Sequence, residues 1–183
     1  MSLTISEICQ LYTLKGQLPY GNAGVNQLEQ ALQFATLAEA ANQPDETIAA
    51  CLLHDLGHLL HDFGMRAADK GIDDRHEYRV IPYLQSLFSP AVTEPIRLHV
   101  EAKRYLCAIE LTYWNKLSSG SQETLTLQGG IFSDAAAQNF IAQPYAKAAV
   151  QLRLWDDKAK VVGLKTPNLE HFTRVLSACI LLS

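Results

Sequence analysis

Within the apolar run ACLLHDLGHLL at 50–60, His54 and Asp55 stand side by side and His58 follows four residues after His54. A carboxylate buried among leucines is heavily penalised unless a cation meets it, and a metal ion is the strongest cation available. On a helix His54 and His58 share one face, with Asp55 about 100 degrees round from His54; neighbouring imidazole and carboxylate groups can still converge on one ion. An exposed Asp55 beside an ordinary His54 is the plain alternative for an isolated pair. The pair is not isolated. His76 in DRHEYR, His99 in IRLHVEAKRYL, and Asp156 with Asp157 in LRLWDDKAK supply further donors. Imidazole nitrogen and carboxylate oxygen suit divalent transition metals, and a growing share of oxygen ligands favours iron or manganese over zinc. These histidines and aspartates suffice for two metals sharing one carboxylate. His61 and His171 fit no such context and read as surface or packing residues.

The elements that must position these donors read as helices. The segment at 26–42 has Asn26 as N-cap, Glu29 three residues on, and Leu32, Ala35, Leu37 and Ala38 at helical spacing. The segment at 44–60 starts on Pro44 and Asp45 and is expected to run as one helix through the His-Asp pair. A third is expected over 73–88, kinked or shifted by Pro82. A fourth is capped by Ser89, with Pro90 at its first position. Further helices are expected over 133–143, 144–160 and 168–182. Alternating strand patterns are almost absent, so the expected fold is all-α, with about seven to nine helices.

Composition narrows the function classes. The chain has 183 residues, 48% hydrophobic and 19% charged, with a formal net charge of -4. That length suits one domain over 1–183, and the weak negative charge gives no bias toward nucleic acid. No apolar stretch approaches the roughly 18 residues of a membrane span. The first residues lack the basic start, apolar run and cleavage site of a secretory signal, so a cytoplasmic protein is expected. Cys9, Cys51, Cys107 and Cys179 are scattered without metal or redox spacing and read as reduced packing residues.

Taken in order, Tyr20, QLEQALQFATLAE, LLHDLGH, DRHEYR, HVEAKRYL, LSSGSQETLTLQGG and LRLWDDKAK resemble the HD-domain superfamily. Most of that superfamily are metal-dependent phosphohydrolases. The fuller pattern is similar to a narrower branch, the diiron oxygenases that cleave the carbon–phosphorus bond of hydroxylated phosphonates and are related to myo-inositol oxygenase. The resemblance implies a single HD-domain helical bundle holding two iron ions of mixed valence. It makes His54, Asp55 and Asp156 ligands of the first iron, with Asp55 bridging, and His76 and His99 ligands of the second. Lys103, Ser121 and Gln128 correspond to phosphonate contacts; a lysine with hydroxyl and amide donors suits a phosphonate dianion. His58 and Arg153 correspond to groups that orient the ligands by hydrogen bonding. Tyr20 corresponds to a tyrosine that fills the open iron position until substrate displaces it; packing of an N-terminal loop is the plain alternative. The candidate catalytic groups are thus Tyr20, His58 and Lys103, with a small phosphonate or phosphate and O2 as partners. The oligomeric state stays open.

Two departures qualify the transfer. Gln30 stands where the branch has the first histidine ligand, and a neutral amide oxygen is a poorer donor than imidazole. The first iron is therefore expected to bind more weakly, to be replaced or to be absent, leaving a single metal. Ala23 stands where the branch carries a glutamate that recognises a cationic amine, which argues against a simple aminoethylphosphonate substrate. Two other readings follow from these departures: a metal-dependent phosphohydrolase acting on a small phosphoester, and a degenerate metal-binding HD protein.

Overall fold

The computed structural model describes residues 3–60 and 70–181, so His61 lies outside the described residues. Eleven α-helices follow one another there: α1 (Ile5–Lys15), α2 (Gln27–Ala40), α3 (Asp45–Leu53), α4 (His76–Arg79), α5 (Ile81–Leu84), α6 (Pro90–Ile109), α7 (Tyr113–Lys116), α8 (Ser119–Leu127), α9 (Asp134–Ile141), α10 (Ala146–Asp156) and α11 (Leu169–Ala178). Eight of them have eight residues or more, and α4, α5 and α7 are single turns. No strand forms among the described residues, only the isolated bridges Pro19 to Asn26 and Phe88 to Ile180. No helix among them is long and apolar enough to cross a membrane.

Capping explains several starts. Asn26 accepts from the Glu29 backbone N–H while the Glu29 side chain returns to the Asn26 N–H, the reciprocal pair expected from the sequence. Thr4 and Glu7 form the same box on α1, an element the periodicity reading omitted. Ser118 caps α8, also unforeseen, through the Ser121 N–H.

The apolar α3 is the hub of the main core. Ile48, Leu52 and Leu53 pack with Ile8 of α1, Phe34 of α2, Ile96 of α6, Leu152 of α10 and Phe172 and Leu176 of α11. A second cluster joins Leu98 and Ala102 of α6 to Phe140 of α9 and Ala146 and Ala149 of α10. The candidate ligands come together around this core: Gln30 from α2, His54 and Asp55 just past the end of α3, His76 from α4, His99 from α6 and Asp156 from α10.

The expected continuous helix over 44–60 breaks in two. α3 ends at Leu53, His54 and Asp55 form a turn, and a 3-10 helix takes Leu56–Leu60. Tertiary contact fixes the second piece: a Cβ on Gly57 would lie 2.1 Å from the His76 carbonyl oxygen, so the two backbones meet there and only glycine fits. His54 and His58 consequently do not share a helix face. The expected helix over 73–88 also divides, into α4 and α5, with Pro82 in the first turn of α5.

Candidate metal centre

Asp55 lies at the centre of the site, 8% exposed, and uses its two oxygens in different directions. Oδ2 lies 3.1 Å from His54 Nε2 and accepts from the Tyr20 hydroxyl at 2.8 Å. Oδ1 lies 3.1 Å from His76 Nε2 and 3.6 Å from His99 Nε2. The far nitrogens of the rings are anchored: His54 Nδ1 donates to the Cys51 carbonyl at 2.9 Å, His99 Nδ1 to the Ile96 carbonyl at 2.7 Å and His76 Nδ1 to Asp74 Oδ1 at 3.1 Å. Donation from Nδ1 leaves the lone pair of the neutral ring on Nε2, the atom turned inward.

This arrangement fits a cation. His76 Nε2 and His99 Nε2 are 3.1 Å apart, and with Asp55 Oδ1 they bring three inward ligand atoms within reach of one ion. A proton partly serves instead. Burial works against a charged His76, but hydrogen bonds to Asp55 and Asp74 hold its pKa well above the usual histidine value. Burial and the neighbouring His76 charge push His99 well below it. Burial would raise Asp55; the charge and hydrogen bond of His54, with the bond from His76, hold it well below the carboxylate range instead.

The opposite side, toward Asp156, is less ready for a metal. Asp156 Oδ1 is 3.8 Å from His54 Nε2, accepts from Gln30 Nε2 at 2.8 Å and lies 3.5 Å from Lys160 Nζ. Its Oδ2 is bound by Arg153, which also pairs with Asp157. Gln30 is fully buried, and its Oε1 has no hydrogen-bond partner among the described residues. Against the cost of burial, Lys160, Arg153 and His54 keep Asp156 ionised. A metal here must compete with an amide and two cations for that carboxylate.

A cavity of about 480 Å3 opens over Asp55, a size suited to a small-molecule ligand. His99 and Lys103, four apart on α6, both reach it and are both 4% exposed. Lys103 Nζ donates to Thr124 Oγ1 at 3.0 Å and to the Ser121 carbonyl at 3.4 Å. Burial, then the charge of Arg153, push Lys103 down to about 7. Arg153 donates to Ser121 Oγ at 3.4 Å, and Gln128 Oε1 is buried without a partner among the described residues. The residues matched to phosphonate contacts therefore gather on one wall, with Tyr20 facing them from the loop before α2. Burial and the charges of Asp156 and Asp55 raise the Tyr20 pKa well above its ordinary value, so its hydroxyl keeps its proton and donates.

Three residues at this site were missed from sequence. Asp74 holds two histidines, Thr124 receives Lys103, and Lys160 pairs with Asp156 while lying 5.4 Å from the centre of the Tyr20 ring. Only their spacing could have suggested them: two before His76, three after Ser121 and four after Asp156. His171 pairs with Glu39 at 2.7 Å and stands edge-on to Phe172, in keeping with a surface or packing residue.

An all-helical fold with an adjacent His-Asp pair at the heart of a histidine and aspartate cluster defines an HD-type metal-site protein. No family model matches the chain. A hydroxymethylphosphonate dioxygenase of Gimesia maris is 42% identical over 177 residues, which cover 96% of this chain and 88% of the relative. A 1-hydroxy-2-(trimethylamino)ethylphosphonate dioxygenase of Leisingera caerulea, which forms glycine betaine, is 35% identical over 93% of this chain and 87% of its own length. The chain therefore belongs to the phosphonate-cleaving oxygenase branch of the HD-domain superfamily.

Proposed function

We propose that this protein cleaves the carbon–phosphorus bond of a small, amine-free hydroxylated phosphonate with O2 and releases phosphate. Hydroxymethylphosphonate is the substrate of choice. The observation that carries the reading is the Asp55 carboxylate, shared between His54 on one side and His76 with His99 on the other, beneath a cavity walled by Lys103, Ser121 and Gln128. The 42% identity to a hydroxymethylphosphonate dioxygenase supports the substrate. The loop at 20–23 supports it too: it lines the cavity with Tyr20, Gly21, Asn22 and Ala23 and brings no carboxylate to meet an amine.

Iron is the proposed metal, and when bound it supplies the redox chemistry that O2 requires. Asp55, His76 and His99 would hold one ion; His54, Asp55 and Asp156 would hold another, with Gln30 as a weak fourth donor. The two sites are unequal because Asp156 is already engaged by Gln30, Arg153 and Lys160. The protein's own part is positional. Lys103, with the Ser121 hydroxyl and the Gln128 amide, neutralises and orients the phosphonate. Tyr20 covers Asp55 until substrate enters. Arg153 holds Asp156 in place and links it to Ser121 on the substrate wall.

Anaerobically purified protein should contain iron, and hydroxymethylphosphonate should then trigger O2 uptake with matching phosphate release. Iron-loaded protein that releases phosphate from small phosphoesters without consuming O2 would replace this reading with hydrolysis.

A further inference from the structure

Asp74 holds two histidines on the Oδ1 side of Asp55. Its Oδ1 accepts from His76 Nδ1 at 3.1 Å and faces the His76 backbone N–H at 3.4 Å, while its Oδ2 accepts from His58 Nδ1 at 2.5 Å. The His58 and His76 rings are stacked, with centroids 3.8 Å apart and planes 22° apart. Asp74 is 7% exposed, so this carboxylate is committed to its partners rather than to solvent. His58 lines the cavity, with Nε2 3.8 Å from Asp55 Oδ1, a distance beyond a hydrogen bond.

We infer that Asp74 is a positioning residue that acts through two histidines at once: one oxygen sets His76 for the metal, and the other aims the Nε2 lone pair of His58 at the substrate hydroxyl. The inference rests on the proposed substrate class, because a hydroxylated phosphonate carries a donor beside the metal that a plain phosphonate lacks. Imidazole has two nitrogens, and donation from Nδ1 decides that the neutral ring accepts at Nε2. A carboxylate can receive both Nδ1–H groups; an amide cannot, since it offers one oxygen and one NH2. In Asp74→Asn, one of the two histidines must therefore take the opposite tautomer. His76 is tied by its metal, so His58 is the ring that turns over, presenting Nε2–H to the cavity.

That asymmetry separates positioning from mere support. In the iron-loaded enzyme, Asp74→Asn should keep its metal and a near-normal KM while kcat falls about 10- to 100-fold, the range typical of residues behind a metal centre. Asp74→Ala, which releases both rings, should lose metal as well. His58→Gln leaves Asp74 and the metal ligands intact, gives the same reading should Asp74→Asn fold poorly, and should lower kcat similarly. The double variant Asp74→Asn with His58→Gln should be no slower than His58→Gln alone. Wild-type kcat in Asp74→Asn or in His58→Gln would overturn the inference, as would metal loss in Asp74→Asn equal to that in Asp74→Ala.

Anaerobic binding gives a readout that needs no turnover. Wild-type protein should prefer hydroxymethylphosphonate over methylphosphonate, and Asp74→Asn should lose about tenfold of that preference. An unchanged preference would overturn the role of Asp74 even if the wild-type enzyme consumes O2 normally. Absence of O2 uptake by the wild type, with the preference present and lost in the variant, would overturn the proposed reaction and leave Asp74 in its place.

Discussion

Replacing Gln30 by histidine should strengthen the weaker metal site. In the native chain an ion entering between His54 and Asp156 must break the 2.8 Å bond from Gln30 Nε2 to Asp156 Oδ1, a hydrogen bond to a charged acceptor. Such a bond is worth about 1.5–3 kcal/mol. Gln30 must also turn its amide to present Oε1, which leaves the amide nitrogen unpaired where the oxygen is unpaired now, so those two terms nearly cancel. Histidine at position 30 carries neither burden and adds a better donor. The remaining 1.5–3 kcal/mol corresponds to about 10- to 100-fold in metal affinity at that site. Chelator competition on anaerobic, iron-loaded protein, read as iron per chain, measures the effect. The native chain should surrender one ion well before the other, whereas Gln30→His should hold both to a higher chelator concentration. Identical release curves for the two proteins would refute the reasoning, because they would mean that the Gln30 contact to Asp156 costs a metal nothing.

The depressed pKa of Lys103 predicts a pH dependence. A lysine lowered to about 7 is cationic below that pH and neutral above it. KM for the phosphonate should therefore be lowest below about pH 7 and rise by up to tenfold per unit above it, and a flat profile into the alkaline range would remove Lys103 from charge recognition. Gly57→Ala should drive the chain at 57 away from the His76 carbonyl, since backbone lies 2.1 Å from the new Cβ and cannot yield as a side chain would. Expected results are a stability loss of about 1–3 kcal/mol in thermal unfolding, together with reduced iron retention as His76 moves from Asp55.

What could be read from the sequence was local in origin. The box of Asn26 and Glu29 announced α2, and Pro90 marked the start of α6. His99 and Lys103 were singled out by their motif, and the structure brings both to the wall of one cavity. The box of Thr4 and Glu7 was equally legible as the start of α1. The break after Leu53 could not be read there, because LLHDLGHLL has helical composition and the constraint on Gly57 comes from His76, nineteen positions later in the chain. Gln30's part in the competition for Asp156 was invisible for the same reason, since the two are 126 residues apart, whereas Arg153 and Lys160 are its near neighbours in the chain. Gln30 could be singled out as an unusual donor, but its hold on that carboxylate belongs to the packing of α2 against α10.

The raised pKa of His76 has a consequence for how the protein acquires its ion. The inward faces of Asp55, His76 and His99 form a cage that a proton can also close, so metal entry must eject acid into the medium. Acid then works as the reverse reagent, refilling the cage as the metal leaves and sparing the ligands the repulsion that would otherwise push them apart. A mildly acidic wash should therefore yield a chain that is empty yet still folded, and that accepts a different metal on neutralisation.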